Sequence, residues 1–163
     1  MRKDGDAVLM RKAEAVTEFG DELEQLVENM FETMYAAPGV GLAAPQVGIV
    51  RRVLVYQTAE DKPVVALVNP RLVSSSDERE SAEEGCLSLG ASSVVVPVER
   101  PHRISVEAVS PGGEPIRIDA EELEARVIQH ELDHLDGVLT IDRTTPDARR
   151  QALGELRPQP VLG

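Results

Sequence analysis

An α+β fold, with small antiparallel sheets packed round one central helix, is what this sequence predicts from three observations. Two stretches carry apolar residues at the three-and-four spacing of an amphipathic helix, several short β-branched runs read as strands, and "SPGG" at 110–113 turns one run back on the next. The 163 residues suit a single domain over 1–163 with a short tail, 143–163, and a chain of this length buries about two thirds of its unfolded surface.

From Asp21, "DELEQLVENMFETMYAA" places Leu23, Leu26, Val27, Met30, Phe31, Met34 and Tyr35 on one helical face, with Asp21 as N-cap. This stripe reads as core packing rather than a cofactor face. "APGVGLAAPQVG" reads as a loop, because Pro38 and Gly39 stop the helix. "RRVLVYQ", "VVALVNPRLV" and "HRISVEAVS" read as strands, the last with Ile104, Val106 and Ala108 on one face. "SSSDERESAEE" is polar enough for an exposed loop. Asp119, with Glu122 three residues on, resembles a capping box. The helix that follows is buried by Leu123, Val127, Ile128, Leu132 and Leu135 and ends at Gly137. Beyond Asp142 there is room for one short helix before Pro158 and Pro160.

Composition narrows the function. Twenty-nine acidic residues against seventeen basic ones give a formal charge of -12, which repels phosphate backbones and anionic lipid; nucleic-acid binding by the domain as a whole is not expected. An aromatic share of 2% supplies no base-stacking platform. No apolar window approaches the roughly 18 residues that a membrane span needs. One cysteine cannot close an internal disulfide and "MRKDGDAVLM" lacks the apolar run of a signal peptide, so a reducing cytoplasm is the expected compartment.

"QHELDHLDG", residues 129–137, carries the chemistry. His130 and His134 stand one helical turn apart, about 6 Å, so both can reach one ion with Glu131 beside it, the other reading of HExxH being two histidines that are simply packed or solvent-exposed. A third ligand is needed. The longer motif HExxHxxGxxH of one class of zinc peptidase fails here, since Thr140 stands where the third His belongs. Glu155, the counterpart of another peptidase class, sits in the short tail, and His102 at a strand start reads as a surface residue. Cys86 in the small-residue stretch "EEGCLSLG" is either a buried apolar filler or the missing thiolate. A Cys-His-His set with a fourth position left to water is a catalytic arrangement, and it suits Zn2+, Fe2+, Co2+ or Ni2+.

Three blocks, "GVGLAAPQ" (39–46), "EGCLS" (84–88) and "QHELDHLDG" (129–137), resemble in order the three motifs of the peptide deformylases, with agreement across nearly the whole chain. The resemblance implies a peptide deformylase-like fold and a hydrolase that takes the formyl group from N-formylmethionine of nascent polypeptides, releasing formate. It implies a divalent metal, Fe2+ as the native ion with Zn2+ or Ni2+ as substitutes, on Cys86, His130 and His134. Glu131 then moves the proton, and the Gln46 amide and the Leu87 backbone N–H hold the oxyanion. Gly41 lets an extended peptide approach, and Val40, Leu123 and Val127 line the methionine pocket. A ribosome contact through the slightly basic tail is the remaining implied partner.

After "EGCLS" many members of the family continue with an aliphatic residue and Pro, whereas here Leu89 is followed by Gly90, Ala91, Ser92 and Ser93, and some place a basic residue where Ser93 stands; Ala7 lies where Pro is frequent and Thr140 where Phe is common. Two rivals stay open on the residues alone. A small zinc peptidase would cleave internal peptide bonds and not need Cys86. A formyl-peptide or metal binder without activity would be indifferent to loss of Glu131.

Overall fold

The computed structural model describes residues 7–37, 39–85 and 94–156. All four residues of β2 (Val53–Tyr56) are buried, because the strand is covered on both faces. Val53 and Val55 pack with Leu23, Val27, Met30 and Met34 of the first helix, α1 (Asp21–Ala36). Leu54 and Tyr56 point the other way, into a cluster with Ala125, Val127, Ile128 and Leu132 of α2 (Glu122–Leu135). Period-two alternation along one strand thus generates two cores, one for each helix.

The sheet is antiparallel, ordered β1-β2-β3-β6-β7, and is built from β1 (Gly41–Ala43), β2, β3 (Val65–Ser75), β6 (Arg103–Val109) and β7 (Pro115–Glu121). The expected hairpin joins β6 to β7, with Gly113 at φ 87, a value that favours glycine. A second hairpin pairs β4 (Arg79–Gly85) with β5 (Val95–Pro101). A third cluster, Leu9, Val94, Val96, Val98, Leu139, Ile141 and Ala152, packs β5 against α3 (Pro146–Leu156), the short helix expected in the tail. The α+β fold is therefore as the sequence predicts.

Several local expectations are corrected. Asp21 is the first helical residue rather than the N-cap; Gly20 caps α1, and Asp21, Glu22 and Glu24 act on the helix dipole. No capping box forms at Asp119, which stays in β7 and accepts a hydrogen bond from Ser105 Oγ at 2.6 Å; strand pairing outbids the local cap, and α2 starts only at Glu122. Part of the expected loop at 37–48 is β1, recruited to the sheet by pairing with β2. Most of "SSSDERESAEE" is β3 end and β4, whose polar residues suit a strand with exposed faces. Leu123 and Tyr35, expected in the core, are 52% and 55% exposed. Pro38, Pro158 and Pro160 lie outside the described residues.

Candidate metal and catalytic site

Burial of α2 is unusual in kind: Gln129, Glu131, Asp133 and His134 are all buried along with its apolar residues. His130 and His134 face one another with ring centroids 5.1 Å apart. His134 is 1% exposed, and burial, with the charges of His130 and Arg100, pushes its pKa down to about 3, which keeps the imidazole neutral. A neutral imidazole is the form that ligates a metal.

Glu131 is 4% exposed, and its Oε2 is buried with no hydrogen-bond partner among the described residues. Burial raises its pKa to about 7, against the smaller pull of His130 and Arg100. A carboxyl near neutrality can take and give a proton at working pH. Gly41 of β1 lies directly against it: a Cβ there would sit 3.0 Å from both Glu131 Oε1 and Val127 Cγ1. Glycine is required because strand and carboxylate approach this closely.

Gln46, 2% exposed in the 3-10 turn after β1, accepts the Ala43 N–H through Oε1 at 2.9 Å. That bond orients the amide and makes its NH2 the donor end. Val127 is 5% exposed within the core, whereas Val40 and Leu123 are 44% and 52% exposed.

A group that the sequence reading did not single out dominates the other side of His130. Glu84, buried near the end of β4, meets His130 Nδ1 at 2.9 Å and accepts bonds from Arg100 Nε at 2.7 Å and Nη2 at 3.0 Å and from Arg126 Nη1 at 2.6 Å. Burial pushes its pKa up, but the hydrogen bonds and charges of His130 and Arg100 outweigh this and hold it at about 2. Arg100 also donates to Asp133 Oδ2 at 2.9 Å, and Asp133 Oδ1 accepts from Arg143 at 2.8 Å. Arg100 keeps its charge despite burial because Glu84 and Asp133 flank it. The signal for Glu84 was its place at the head of "EGCLS"; its role becomes visible only when β4 lies beside α2.

A carboxylate that engages one nitrogen of a histidine is the usual outer support of a metal ligand. Together with a neutral buried His134 and the orphaned Glu131 oxygen, it makes the described half of the site fit a metal ion. Cys86 and Leu87, and Gly90 to Ser93, lie outside the described residues. Of the other ligands considered, His102 pairs with Glu80 at 3.1 Å and Glu155 is exposed on α3.

Comparison with known proteins gives the same reading. The family model described as polypeptide deformylase matches residues 1–150. A peptide deformylase of Natranaerobius thermophilus is 50% identical over 143 residues, 88% of this chain and 90% of that protein. The crystal structure of a peptide deformylase from Synechococcus elongatus in complex with actinonin superposes with a TM-score of 0.89 at 40% identity, covering 94% of this chain and 85% of that one. The peptide deformylase of Plasmodium falciparum gives a TM-score of 0.90 at 34% identity, over 95% and 91% of the two chains. The chain belongs to the polypeptide deformylase family, metal-dependent hydrolases that remove the N-formyl group from newly made polypeptides.

Proposed function

We propose that the α2 site performs this deformylation with His130, His134 and Cys86 as metal ligands and Glu131 as the proton carrier. The observation that carries the reading is the pair His130–Glu84: the carboxylate engages Nδ1 at 2.9 Å, so the nitrogen offered to an ion is Nε2. Cys86 follows Glu84 by two residues, which supports it as the third ligand. A divalent ion so held supplies Lewis acidity, lowering the pKa of water and polarising the formyl carbonyl. Fe2+ is the ion proposed as native, with Zn2+ and Ni2+ also suited to thiolate and imidazole.

Glu131 takes the proton from the attacking water and delivers it to the methionine nitrogen. The Gln46 NH2 and the Leu87 backbone N–H donate to the developing oxyanion; losing one such donor typically costs about 10²- to 10³-fold. β1 is the edge of the five-stranded sheet among the described strands, so an extended peptide can pair with it at Gly41. Exposed Val40 and Leu123, with the buried Val127, would receive the methionine side chain.

The chain is read as one catalytic unit over 1–163, acting in the cytoplasm on formylated nascent chains. No helix among the described residues is long and apolar enough to cross a membrane. The tail from 143 is the part proposed to meet the ribosome, through exposed Arg149 and Arg150.

Anaerobic purification with metal analysis and a formyl-Met peptide assay test the reading. Glu131→Gln is expected to retain the metal while kcat falls about 10²- to 10⁴-fold. Cys86→Ser is expected to lose metal and activity together. Full activity in either variant would overturn the assignment.

A further inference from the structure

A second concave site lies on the face of α2 turned away from His130 and His134. Gln129, Leu132, Asp133 and Asp136 form that face, and the cavity over it has a volume of about 660 Å³. Six cations from separate stretches of chain line it: Lys12, Arg52, Arg71, Arg79, Arg100 and Arg143. Among the described residues the acids of the lining are Glu99, Asp133 and Asp136, and Glu107 and Glu84 pair with Arg71 and Arg100 from outside it, which leaves a formal +1 at this cavity of a chain whose total is -12.

Such a local reversal of sign invites an anion, because concave low-dielectric walls concentrate the potential of the charges that line them. The existing ion pairs are no obstacle at the rim. Arg71–Glu107 and Arg79–Glu99 are solvent-exposed pairs at 2.7 and 3.0 Å, of the kind that contributes little and is readily exchanged, and Lys12 has no ion pair among the described residues. At the floor, the buried Arg100 is already matched by Glu84 and Asp133, so the exposed Lys12, Arg71 and Arg79 are the cations left to meet a ligand.

The chemistry of the lining selects the ligand. Guanidinium groups suit the paired oxygens of phosphate. No aromatic residue among the described residues lines the cavity, so a nucleobase would find no stacking partner there. The volume lies in the range of small-molecule sites, and the acidic surface elsewhere repels a polyanion that extends beyond the cavity. We propose that this cavity binds a compact oligophosphate through Lys12, Arg71 and Arg79, with the buried Arg100 beneath.

Calorimetric titration of the metal-loaded enzyme with inorganic tripolyphosphate tests this, with inorganic phosphate and a short single-stranded RNA as further arms. Expected is saturable one-to-one binding of tripolyphosphate, at least about tenfold tighter than inorganic phosphate and weakened by added salt. The variant Lys12→Ala/Arg71→Ala/Arg79→Ala, all exposed positions, is expected to bind at least about tenfold more weakly with its metal content and formyl-peptide turnover unchanged. Absence of saturation at millimolar ligand, equal binding by the variant, or binding accompanied by loss of the metal would overturn the proposal. So would RNA binding more tightly than tripolyphosphate at equal phosphate concentration. None of these outcomes depends on the roles assigned to Glu131 or Cys86.

Discussion

Helices α1 and α2 flank the same sheet and bury opposite kinds of residue. α1 inserts Leu23, Val27, Met30 and Met34, all apolar; α2 buries Gln129, Glu131, Asp133 and His134 beside its apolar residues. Apolar burial asks only that surface leave water, and any apolar sheet face will serve. A buried charge needs a particular partner at hydrogen-bonding distance, and α2 receives its partners from β4, β5 and Arg143. The comparison shows where the molecule gives up stability for chemistry.

Removing the partner at the centre of that network is the most damaging change to expect. Arg100→Leu removes the guanidinium shared by two buried carboxylates, leaving Glu84 to Arg126 and His130 and Asp133 to Arg143 alone, and should destabilise the protein by up to about 3–5 kcal/mol in urea unfolding. A loss below about 1 kcal/mol would mean that water replaces the guanidinium and that α2 is not distinct from α1 in this respect.

On α1, Met30→Ala opens a cavity at a fully buried position and should cost about 3 kcal/mol, while turnover on a formyl-Met peptide stays within about twofold. A kcat that fell with stability would show that the two helices are not separable.

The smallest effect is a gain. The Glu131 carboxyl has a folded pKa of about 7 against its ordinary 4.5, so the folded state favours the protonated form. Below pH 4.5 both states are protonated and nothing is lost; between 4.5 and about 7 the unfolded chain ionises first, and stability falls as pH rises. In the metal-free protein, Glu131→Gln should therefore be close to wild type in stability at acidic pH and more stable by up to about 3 kcal/mol above neutrality. A difference that does not grow with pH would contradict this. Gain of stability with loss of activity is the expected pattern at a functional carboxylate.

Legibility in the sequence followed the same division. The α1 stripe, the strand runs and the 110–113 turn were readable because each depends on neighbours within a few residues. Asp21 and Asp119 depart from the expected caps for a related reason: both have the chemistry of a cap, but Gly20 already occupies the cap of α1, and pairing of β7 with β6 holds Asp119 in a strand. Leu123 fits the helical period yet lies exposed at the start of α2, beside the candidate methionine site.

By itself the sequence determined that His130 and His134 share one face with Glu131 beside them, since a four-residue step on a helix is a local geometric fact. Only the tertiary structure decided how that face is supported. Glu84 meets His130 across 46 positions of chain and Arg100 meets Asp133 across 33, and Gly41 closes against Glu131 from the far edge of the sheet. Contacts of that separation exist only once β1, β4 and β5 have packed round α2, because the burial that raises the Glu131 pKa and the pairing that fixes His130 both come from other elements.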